Sequence, residues 1–257
     1  MPSHSFIMGM EKISSRKNEY IRRLRLLADS AEYRRERGEF ICEGSKTLAE
    51  ALAFGAEISS VLWRERGEAE GLCVPEEYSA AGELFDYASP MKNSPGPLFT
   101  VKMRPADAAA PLRRAIVLES VQDPGNVGTV IRTANAFGID AVVLTGACAE
   151  LYAPKTVRAT MGAIFRQRVF QVELGGLAAF LESRGLPLYG AALSPAAEDI
   201  RAVPVSAAAV AVGSEGKGLS AELLSVCAGQ LIIPMQPDSE SLNAAVAAAV
   251  IMWEMAR

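Results

Sequence analysis

The chain of 257 residues contains one histidine, His4, and four scattered cysteines, Cys42, Cys73, Cys148 and Cys227. Zinc sites and catalytic triads that need internal histidines are therefore almost excluded. Scattered cysteines without a Cys-x-x-Cys pair are typical of buried thiols in a reducing compartment, and not of a disulfide framework. The sequence thus predicts a protein with no metal site.

Long apolar runs are also missing, because none reaches the roughly 18 residues of a membrane span. The N-terminus lacks the charged and then apolar pattern of a secretory signal. Together these absences predict a cytoplasmic protein with no membrane partner.

The chain has no excess of positive charge, since 26 lysines and arginines face 30 acidic residues for a formal net charge of −4. Such a balance argues against a nucleic-acid partner, which usually leaves a basic footprint. However, nine of the bases gather within residues 12–37, among them Arg22, Arg23 and Arg25. This run is either a solvated helix face or a local patch that binds nucleic acid.

Apolar residues make up half of the chain, which is enough for one large or two modest cores. The pattern of the N-terminal part of the sequence predicts a small α/β domain over residues 10–104. Its expected elements are strands at 40–44, 58–63 and 98–103, and a helix at 46–54 capped by Ser45. The Ala- and Pro-rich segment 104–114 is typical of a linker.

A second pattern covers residues 115–257, where short apolar runs alternate with helical stretches. Strands are predicted at 115–118, 141–145, 186–193, 208–213 and 230–233, and helices at 127–137, 177–183, 221–227 and 242–255. Apolar strands that alternate with helices predict an α/β domain with a mostly parallel sheet, covered on both faces.

The first polar segment of this region, residues 119–128, follows a buried strand and passes through Pro124-Gly125 into a helix. Asn126 is expected to cap that helix, and Arg132 to project from its polar side. Open α/β sheets bind ligands at the carboxyl ends of their strands. Arg132 is therefore either a ligand contact or an ordinary surface arginine.

The second segment, residues 213–219, is a glycine-rich loop, and Ser220 is expected to cap the helix that follows it. Its G-x-x-G-x-G spacing differs from the dinucleotide motif, and Lys217 is followed by glycine and not by the Ser or Thr of a P-loop. The loop is either a tight turn or a ligand loop.

The third segment joins Ile233-Pro234-Met235 to Ser241-Leu242-Asn243, where an apolar helix begins. Ser241 and Asn243 lie at the helix start, so helix capping explains them without any chemistry. The apolar stripe of the helix is typical of a core or a subunit interface.

Taken together and in this order, the three segments resemble the SpoU (TrmH-type) family of RNA ribose 2′-O-methyltransferases, within the SPOUT superfamily. The resemblance covers residues 115–257. It rests on Asn126-x-Gly128…Arg132-Thr133-Ala134, Gly213-x-Glu215-Gly216-x-Gly218-Leu219 and Ile233-Pro234-Met235…Ser241-Leu242-Asn243. The chain departs from the family pattern at Ser214, where asparagine is common, and at Ala244-Ala245, where a small polar residue is frequent.

The resemblance implies a catalytic α/β domain whose C-terminal segment forms a trefoil knot. A looser likeness, carried by Phe40-Ile-Cys-Glu-Gly-Ser-Lys-Thr-Leu and Ser94-Pro-Gly-Pro-Leu, links the first domain to the family's L30e-like substrate-binding domain. Family members dimerise through the knotted domain, and each active site borrows from the partner. A homodimer is therefore expected, with the stripe from Leu242 to Trp253 in its interface.

The implied activity is transfer of a methyl group from S-adenosylmethionine to a ribose 2′-hydroxyl, with ribosomal RNA as the expected substrate. Two alternatives stay open. One is a transfer-RNA ribose methyltransferase of the same family, and the other is a non-catalytic RNA-binding or ribosome-assembly paralogue.

The resemblance also carries residue roles. The implied catalytic residues are Arg132, Asn126, Glu215, Ser241 and Asn243. The implied cofactor contacts are Leu144, Thr145, Gly213, Ile233, Met235 and Leu242. The expected RNA contacts are Arg22, Arg23, Arg25, Lys155, Arg158 and Arg166. Because arginine is a poor base, Arg132 either positions an RNA phosphate or works with a phosphate that relays the proton.

Overall fold

A computed structural model describes residues 10–64, 74–236 and 241–257, so His4 and Cys73 lie outside the described residues. The chain divides into two compact units, the first formed by Met1–Arg104 with Tyr152–Pro154 and the second by Pro105–Leu151 with Lys155–Arg257. In the described segments, no helix combines the length and the apolar character needed to cross a membrane. Cys42, Cys148 and Cys227 are free thiols.

The first unit contains a mixed sheet with the strand order β1-β4-β3-β5-β2. Its elements are β1 (Glu11–Ile13), α1 (Glu19–Asp29), α2 (Ala31–Arg37), β2 (Glu39–Glu43), α3 (Ser45–Ala53), β3 (Ile58–Arg64), β4 (Glu76–Ala80), α4 (Gly82–Ala88) and β5 (Leu98–Lys102). β1 and β3 run parallel to β4, whereas β5 runs antiparallel to β2 and β3.

Two helices occupy the basic segment at residues 12–37, and both follow from local chemistry. Asn18 caps α1 by accepting a hydrogen bond from the backbone of Tyr20, and Leu24 and Leu27 of α1 are fully buried. Ser30 ends α1 and caps α2. The predicted Ser45 cap is wrong, because α3 begins at Ser45 and its cap position is Gly44, which has no side chain.

The second unit contains a sheet with the order β10-β12-β9-β11-β6-β7-β8, and all of its neighbouring strands in the described residues run parallel. Its elements are β6 (Ala115–Glu119), α5 (Pro124–Ala136), β7 (Ala141–Thr145), α6 (Pro154–Ala159), β8 (Arg168–Gln171), α7 (Leu174–Glu182), β9 (Leu188–Ala191), β10 (Glu198–Asp199), β11 (Ala209–Val212), α8 (Ala221–Ser225), β12 (Gly229–Ile232) and α9 (Ala244–Ala256). The prediction of an α/β fold with a mostly parallel sheet is confirmed.

The core of the second unit lies around the central strands β11, β6 and β7, which are buried along their whole length. On one face, Val117 and Val143 pack with Leu177 and Leu181 of α7. α5 and α9 pack against each other and against strands of the sheet. Strands buried on both faces explain why the sequence reads as continuous apolar runs and not as alternating ones.

Candidate functional site

The site lies at the carboxyl end of the second sheet, where β6 and β11 stop side by side. These strands pair in register from Ala115–Ala209 to Leu118–Val212, so Glu119 and Gly213 emerge at the same edge. β6 leads into α5, and β11 leads into the loop at residues 213–219. Two of the three sequence motifs therefore meet because parallel strands present their ends together.

α5 begins at Pro124, three residues before the predicted start, and its cap is Asp123. Asp123 Oδ1 accepts a hydrogen bond of 3.0 Å from the backbone N–H of Asn126. That bond holds the pKa of Asp123 below its ordinary value, and Lys155, 3.8 Å away, lowers the pKa further. The prediction that Asn126 caps α5 is wrong, because proline suits the first helical position, so the helix begins at Pro124 and its cap lies three residues before Asn126.

The side chain of Asn126 is therefore available for the site, and it donates a hydrogen bond to Glu215 Oε1. Asn243 Nδ2 donates to the same oxygen over 3.4 Å and to Asn126 Oδ1 over 3.2 Å. Asn243 Oδ1 meanwhile accepts from Ala245 and Val246 and caps α9. One polar cluster thus joins three of the implied catalytic residues, each from a different motif.

Glu215 is exposed at the tip of a very tight loop. Ser214 and Gly218 form an isolated β-bridge, and Gly218 N–H donates to Ser214 O over 2.9 Å. A Cβ on Gly213 would overlap the backbone of Gly218, and Gly218 itself has a φ of +66°. Glycine is therefore required at position 218, which is one end of the bridge, and at position 213, directly before the other end. Ser220 caps α8 as predicted.

A cavity of about 370 Å3 opens beside this loop. Glu215 belongs both to the polar cluster and to the wall of this cavity. The described residues that line it are mostly apolar or glycine, and they include Gly213, Ile233, Met235, Ser241 and Leu242. Four of the six implied cofactor contacts and one further implied catalytic residue, Ser241, therefore share one pocket.

Leu144 and Thr145 do not line this cavity, although the resemblance groups them with the cofactor contacts. They lie at the end of β7, which β6 separates from β11, and both are buried. Thr145 Oγ1 has no hydrogen-bond partner among the described residues. Within one chain, the order of the strands keeps these two residues away from the pocket.

Several residues of the pocket wall were not predicted. Ala191 ends β9 and Leu193 lies two residues beyond it, whereas Leu219 belongs to the glycine loop and Ala247 to α9. The signal that could have found Ala191 is the predicted strand at 186–193, because ligands bind where such strands end. Nothing in the sequence shows that β9 lies next to β11.

Arg132 lies outside the polar cluster. It follows Asn126 by six residues, which places it about 240° further around α5. It is exposed, and it forms no hydrogen bond or ion pair with any residue that the structure describes. A single chain therefore does not bring Arg132 to the other implied catalytic residues.

The face of α5 that carries Gly128 packs against the segment at residues 155–168. A Cβ on Gly128 would lie 2.5 Å from the Ala159 side chain and 2.6 Å from the carbonyl oxygen of Thr156. Further along α5, Asn135 Oδ1 accepts a hydrogen bond of 2.8 Å from Arg166 Nε. The predicted RNA contacts Lys155, Arg158 and Arg166 therefore lie on the segment that borders this face, and all three are exposed.

The basic residues of the first unit have different surroundings. Arg23 forms ion pairs with Glu39 at 2.5 Å and Glu76 at 3.4 Å, and its side chain is only 18% exposed. Arg25 pairs with Asp29 at 3.0 Å. Arg22 is exposed and forms no ion pair with the described residues. Of the three predicted contacts, Arg23 is largely neutralised inside its own unit.

Glu39 is the acidic centre of that ion-pair group, because Lys102 also contacts it, at 2.6 Å. Burial raises the pKa of Glu39, but the hydrogen bonds from Lys102 and Arg23 outweigh burial and bring the pKa below its ordinary value. Among the described residues, no three histidine, cysteine or acidic side chains are grouped so that they could hold a metal ion.

The chain is similar to a known protein family and to named relatives. The model of the SpoU rRNA Methylase family matches residues 113–253. A Bacillus subtilis (strain 168) protein named 23S rRNA (guanosine(2553)-2′-O)-methyltransferase RlmP is 31% identical, over 96% of this chain and 99% of that relative. A Streptomyces viridochromogenes protein named 23S rRNA (uridine(2479)-2′-O)-methyltransferase is 26% identical, over 96% of this chain and 92% of its own length.

A solved structure agrees with these relatives. The crystal structure of an AdoMet-bound rRNA methyltransferase from Sinorhizobium meliloti superposes with a TM-score of 0.83 at 25% identity, over 96% of this chain and 97% of that one. The matched family region contains the polar cluster and the cavity. The chain therefore belongs to the SpoU rRNA methylase family.

Proposed function

We propose that the protein transfers the methyl group of S-adenosylmethionine to the 2′-hydroxyl of a ribose in ribosomal RNA. The chain is an RNA methyltransferase of the SpoU family that uses S-adenosylmethionine. The observation that carries the proposal is Glu215, which holds Asn126 and Asn243 and also lines the cavity. Two relatives are named for different nucleotides, a guanosine and a uridine, so we assign the ribose and not the base.

The pocket fits the cofactor in size and chemistry. Its volume of about 370 Å3 falls within the usual range for small-molecule sites, and its wall combines apolar side chains with glycine backbone. We assign contacts with S-adenosylmethionine to Gly213, Ile233, Met235 and Leu242. When bound, the cofactor supplies an electrophilic methyl group on its sulfonium. Leu144 and Thr145 lie outside the pocket wall and are not assigned to it.

The 2′-hydroxyl is a weak nucleophile that must lose its proton as its oxygen bonds to the methyl carbon, while the bond from that carbon to the sulfonium breaks and leaves a neutral thioether. Arginine is too weak a base for this step, because its pKa lies above about 12. We assign Arg132 to a bidentate pair with an RNA phosphate, which places the ribose and lets the phosphate take the proton. Asn126, Glu215 and Asn243 hold the reacting region in place, and Ser241 lies beside them in the pocket wall.

The position of Arg132 supports a homodimer. The cluster and Arg132 do not meet within one chain, and in the proposed dimer the Arg132 of a second copy completes the site. α9 supports this assembly, because Val246, Val250 and Trp253 are exposed along one side of it, Trp253 to 58%. Size-exclusion chromatography with light scattering checks the assembly, and a fully active monomer would contradict it.

The remaining assignments concern RNA and location. We assign the unit at residues 10–104 to RNA binding, as an L30e-like domain, and the unit at 115–257 to a knotted catalytic domain. The RNA contacts are Arg22, Arg25, Lys155, Arg158 and Arg166, with Arg23 as the weakest candidate because Glu39 and Glu76 pair with it. Such contacts supply affinity without reading sequence. A ribosomal RNA substrate and free thiols favour a cytoplasmic location.

Two experiments test the function. Isothermal titration of the full chain with S-adenosylmethionine is expected to show binding, and absence of binding would favour a non-catalytic paralogue. Mapping of 2′-O-methyl sites in cellular RNA, with and without the gene, is expected to lose one site in ribosomal RNA. Loss of a transfer-RNA site instead would overturn the assignment of substrate.

A further inference from the structure

Glu119 is a buried carboxylate that none of the roles above uses. It is the last residue of β6, it is 4% exposed, and it lies between the ends of β11 and β7. No lysine or arginine among the described residues forms an ion pair with it. A buried carboxylate is unfavourable unless hydrogen bonds satisfy its oxygens, so its partners explain why it is there.

Both carboxylate oxygens of Glu119 accept hydrogen bonds from one residue, Ser220. Oε2 accepts from the backbone N–H of Ser220 at 2.7 Å, and Oε1 accepts from the Ser220 hydroxyl at 2.5 Å. The same hydroxyl accepts from the backbone N–H of Leu223 at 3.1 Å and so caps α8. Hydrogen bonds to an ionised acceptor are the stronger kind, and they are strengthened further when the acceptor is buried.

Ser220 immediately follows the glycine loop at residues 213–219, and this position gives the contact its importance. Glu215 holds the tip of the loop against Asn126 and Asn243. Glu119 holds the exit of the loop. Glu119 and Asn126 lie seven residues apart on one strand–turn–helix segment. That segment therefore contacts the loop both at its tip and at its exit. All seven loop residues line the cavity.

We infer that Glu119 is a positioning residue, which holds Ser220 so that the glycine loop keeps the shape of the S-adenosylmethionine pocket. Without this contact, the exit of the loop loses its hydrogen bonds to the sheet and keeps only the packing of Leu219 on the core and the Ser214–Gly218 bridge. The loop in the pocket wall is then mobile in the free protein. Cofactor binding must order this loop, and that ordering lowers the affinity. The inference rests on the proposed use of this pocket for the cofactor.

The main test is titration of the full chain with S-adenosylhomocysteine. Glu119→Ala leaves the Ser220 N–H unsatisfied and is expected to raise Kd about tenfold. Glu119→Gln is expected to stay within about threefold of the wild type. The amide oxygen of the new glutamine can accept from the backbone N–H of Ser220, and its amide N–H can donate to the Ser220 hydroxyl. Ser220→Ala is expected to raise Kd, whereas Ser220→Thr, which retains the hydroxyl, is expected to keep the Kd of the wild type. This second pair of variants keeps the test valid if Glu119→Ala does not fold.

Asp140→Ala is the matched control. Asp140 Oδ2 also accepts two backbone hydrogen bonds, both of 2.8 Å, from Arg113 and Arg114, but at the amino end of β7. This variant is expected to lower the midpoint of thermal unfolding and to leave Kd unchanged. If Asp140→Ala raises Kd as much as Glu119→Ala does, Glu119 acts only through general stability and the inference is wrong.

Two further measurements separate positioning from simple loss of fold. In Glu119→Ala, KM for S-adenosylmethionine is expected to rise while kcat at saturation falls less, because bound cofactor restores the loop. Hydrogen exchange of the free protein is expected to accelerate at residues 213–220 and not in β7. Unchanged exchange there would overturn the inference even if the wild type binds no cofactor, whereas failure of the wild type to bind would overturn only the proposed function.

Discussion

Asn126 donates its side-chain amide to Glu215, which lies 89 residues further along the chain. The pair joins the first turn of α5 to the tip of the glycine loop, and Asn243 completes it from the start of α9. Three segments that are remote in sequence therefore depend on one carboxylate oxygen. This arrangement makes Glu215 the most informative single position in the second unit.

Replacement of Glu215 with alanine is expected to lower kcat by about a hundredfold or more, because both asparagines lose their shared acceptor and the pocket wall loses its tip. Methyl transfer to RNA from labelled S-adenosylmethionine measures the effect. Glu222→Ala is a suitable control, since Glu222 is exposed on the neighbouring α8. Activity of Glu215→Ala within a few fold of the wild type would contradict the role of the cluster.

Arg132 is expected to act on RNA and not on the cofactor, because it is absent from the pocket wall. Arg132→Ala and Arg132→Lys should each lower turnover by about a hundredfold, since lysine cannot reproduce a bidentate phosphate pair. Binding of S-adenosylhomocysteine should remain within about twofold of the wild type. Near wild-type turnover in either variant would show that Arg132 has been misassigned.

Gly128 is expected to be essential for packing. In Gly128→Ala, the new Cβ would meet the Thr156 carbonyl oxygen at 2.6 Å, so α5 and α6 must separate, at a cost of about 1–3 kcal/mol in the free energy of unfolding. Gly175 in α7 has nothing within 4 Å, and Gly175→Ala should stabilise by up to about 1 kcal/mol. Urea denaturation of both variants measures the contrast, and equal effects would contradict the close packing.

The Glu39 ion pairs are expected to make part of the stability sensitive to acid. Because the pKa of Glu39 is lowered in the folded state, its contribution is complete above its ordinary pKa of about 4.3 and is lost as pH falls through the folded value. Glu39→Gln should lower the free energy of unfolding at pH 7 by about 1–3 kcal/mol. The same substitution should also reduce the fall in the free energy of unfolding between about pH 5 and 3.

The matched control for Glu39→Gln is Glu36→Gln, at an exposed position of α2. Denaturant titrations at several pH values compare the two variants. A pH dependence that is unchanged in Glu39→Gln would mean that Glu39 titrates alike in the folded and unfolded chain.

RNA binding is expected to weaken steeply with salt, because lysine and arginine contacts with phosphates release counterions. Arg22→Ala and Arg158→Ala should each reduce the slope of log K against log salt concentration by about one unit. Arg23→Ala should change the slope less, since Glu39 and Glu76 already pair with Arg23. Filter binding to ribosomal RNA fragments between low and physiological salt measures these slopes, and a flat salt dependence would exclude the proposed surface.

The strands at the centre of the second sheet could be predicted from the sequence, because they are buried on both faces. β7 has the predicted bounds of residues 141–145, and β6 and β11 differ by one residue or so at their ends. The short strands β8 and β10 were missed, since they carry arginine or acidic residues at the edges of the sheet. β4, with the sequence EEYSA, was also missed because it begins with two acidic residues, although it lies inside its sheet between β1 and β3.

The chemistry of the site could be predicted only in part. The glycine loop and both asparagines stand out because of their places after strands and at helix starts. Which residue caps α5 was decided by Pro124, whose preference for the first helical turn outweighs the turn signal of Pro-Gly. The separation of Leu144 and Thr145 from the pocket depends on the order of the strands, which no local pattern contains.

The cap of α9 has a consequence for biosynthesis. Asn243 both starts the last helix of the described chain and closes the polar cluster, so the site cannot exist on a nascent chain that ends before it. Within the part of the chain that the structure describes, the last strand of the seven-stranded sheet ends at Ile232, and the strand pairing requires nothing from α9. A ribosome would therefore synthesise every described strand of this sheet before the polar cluster could form.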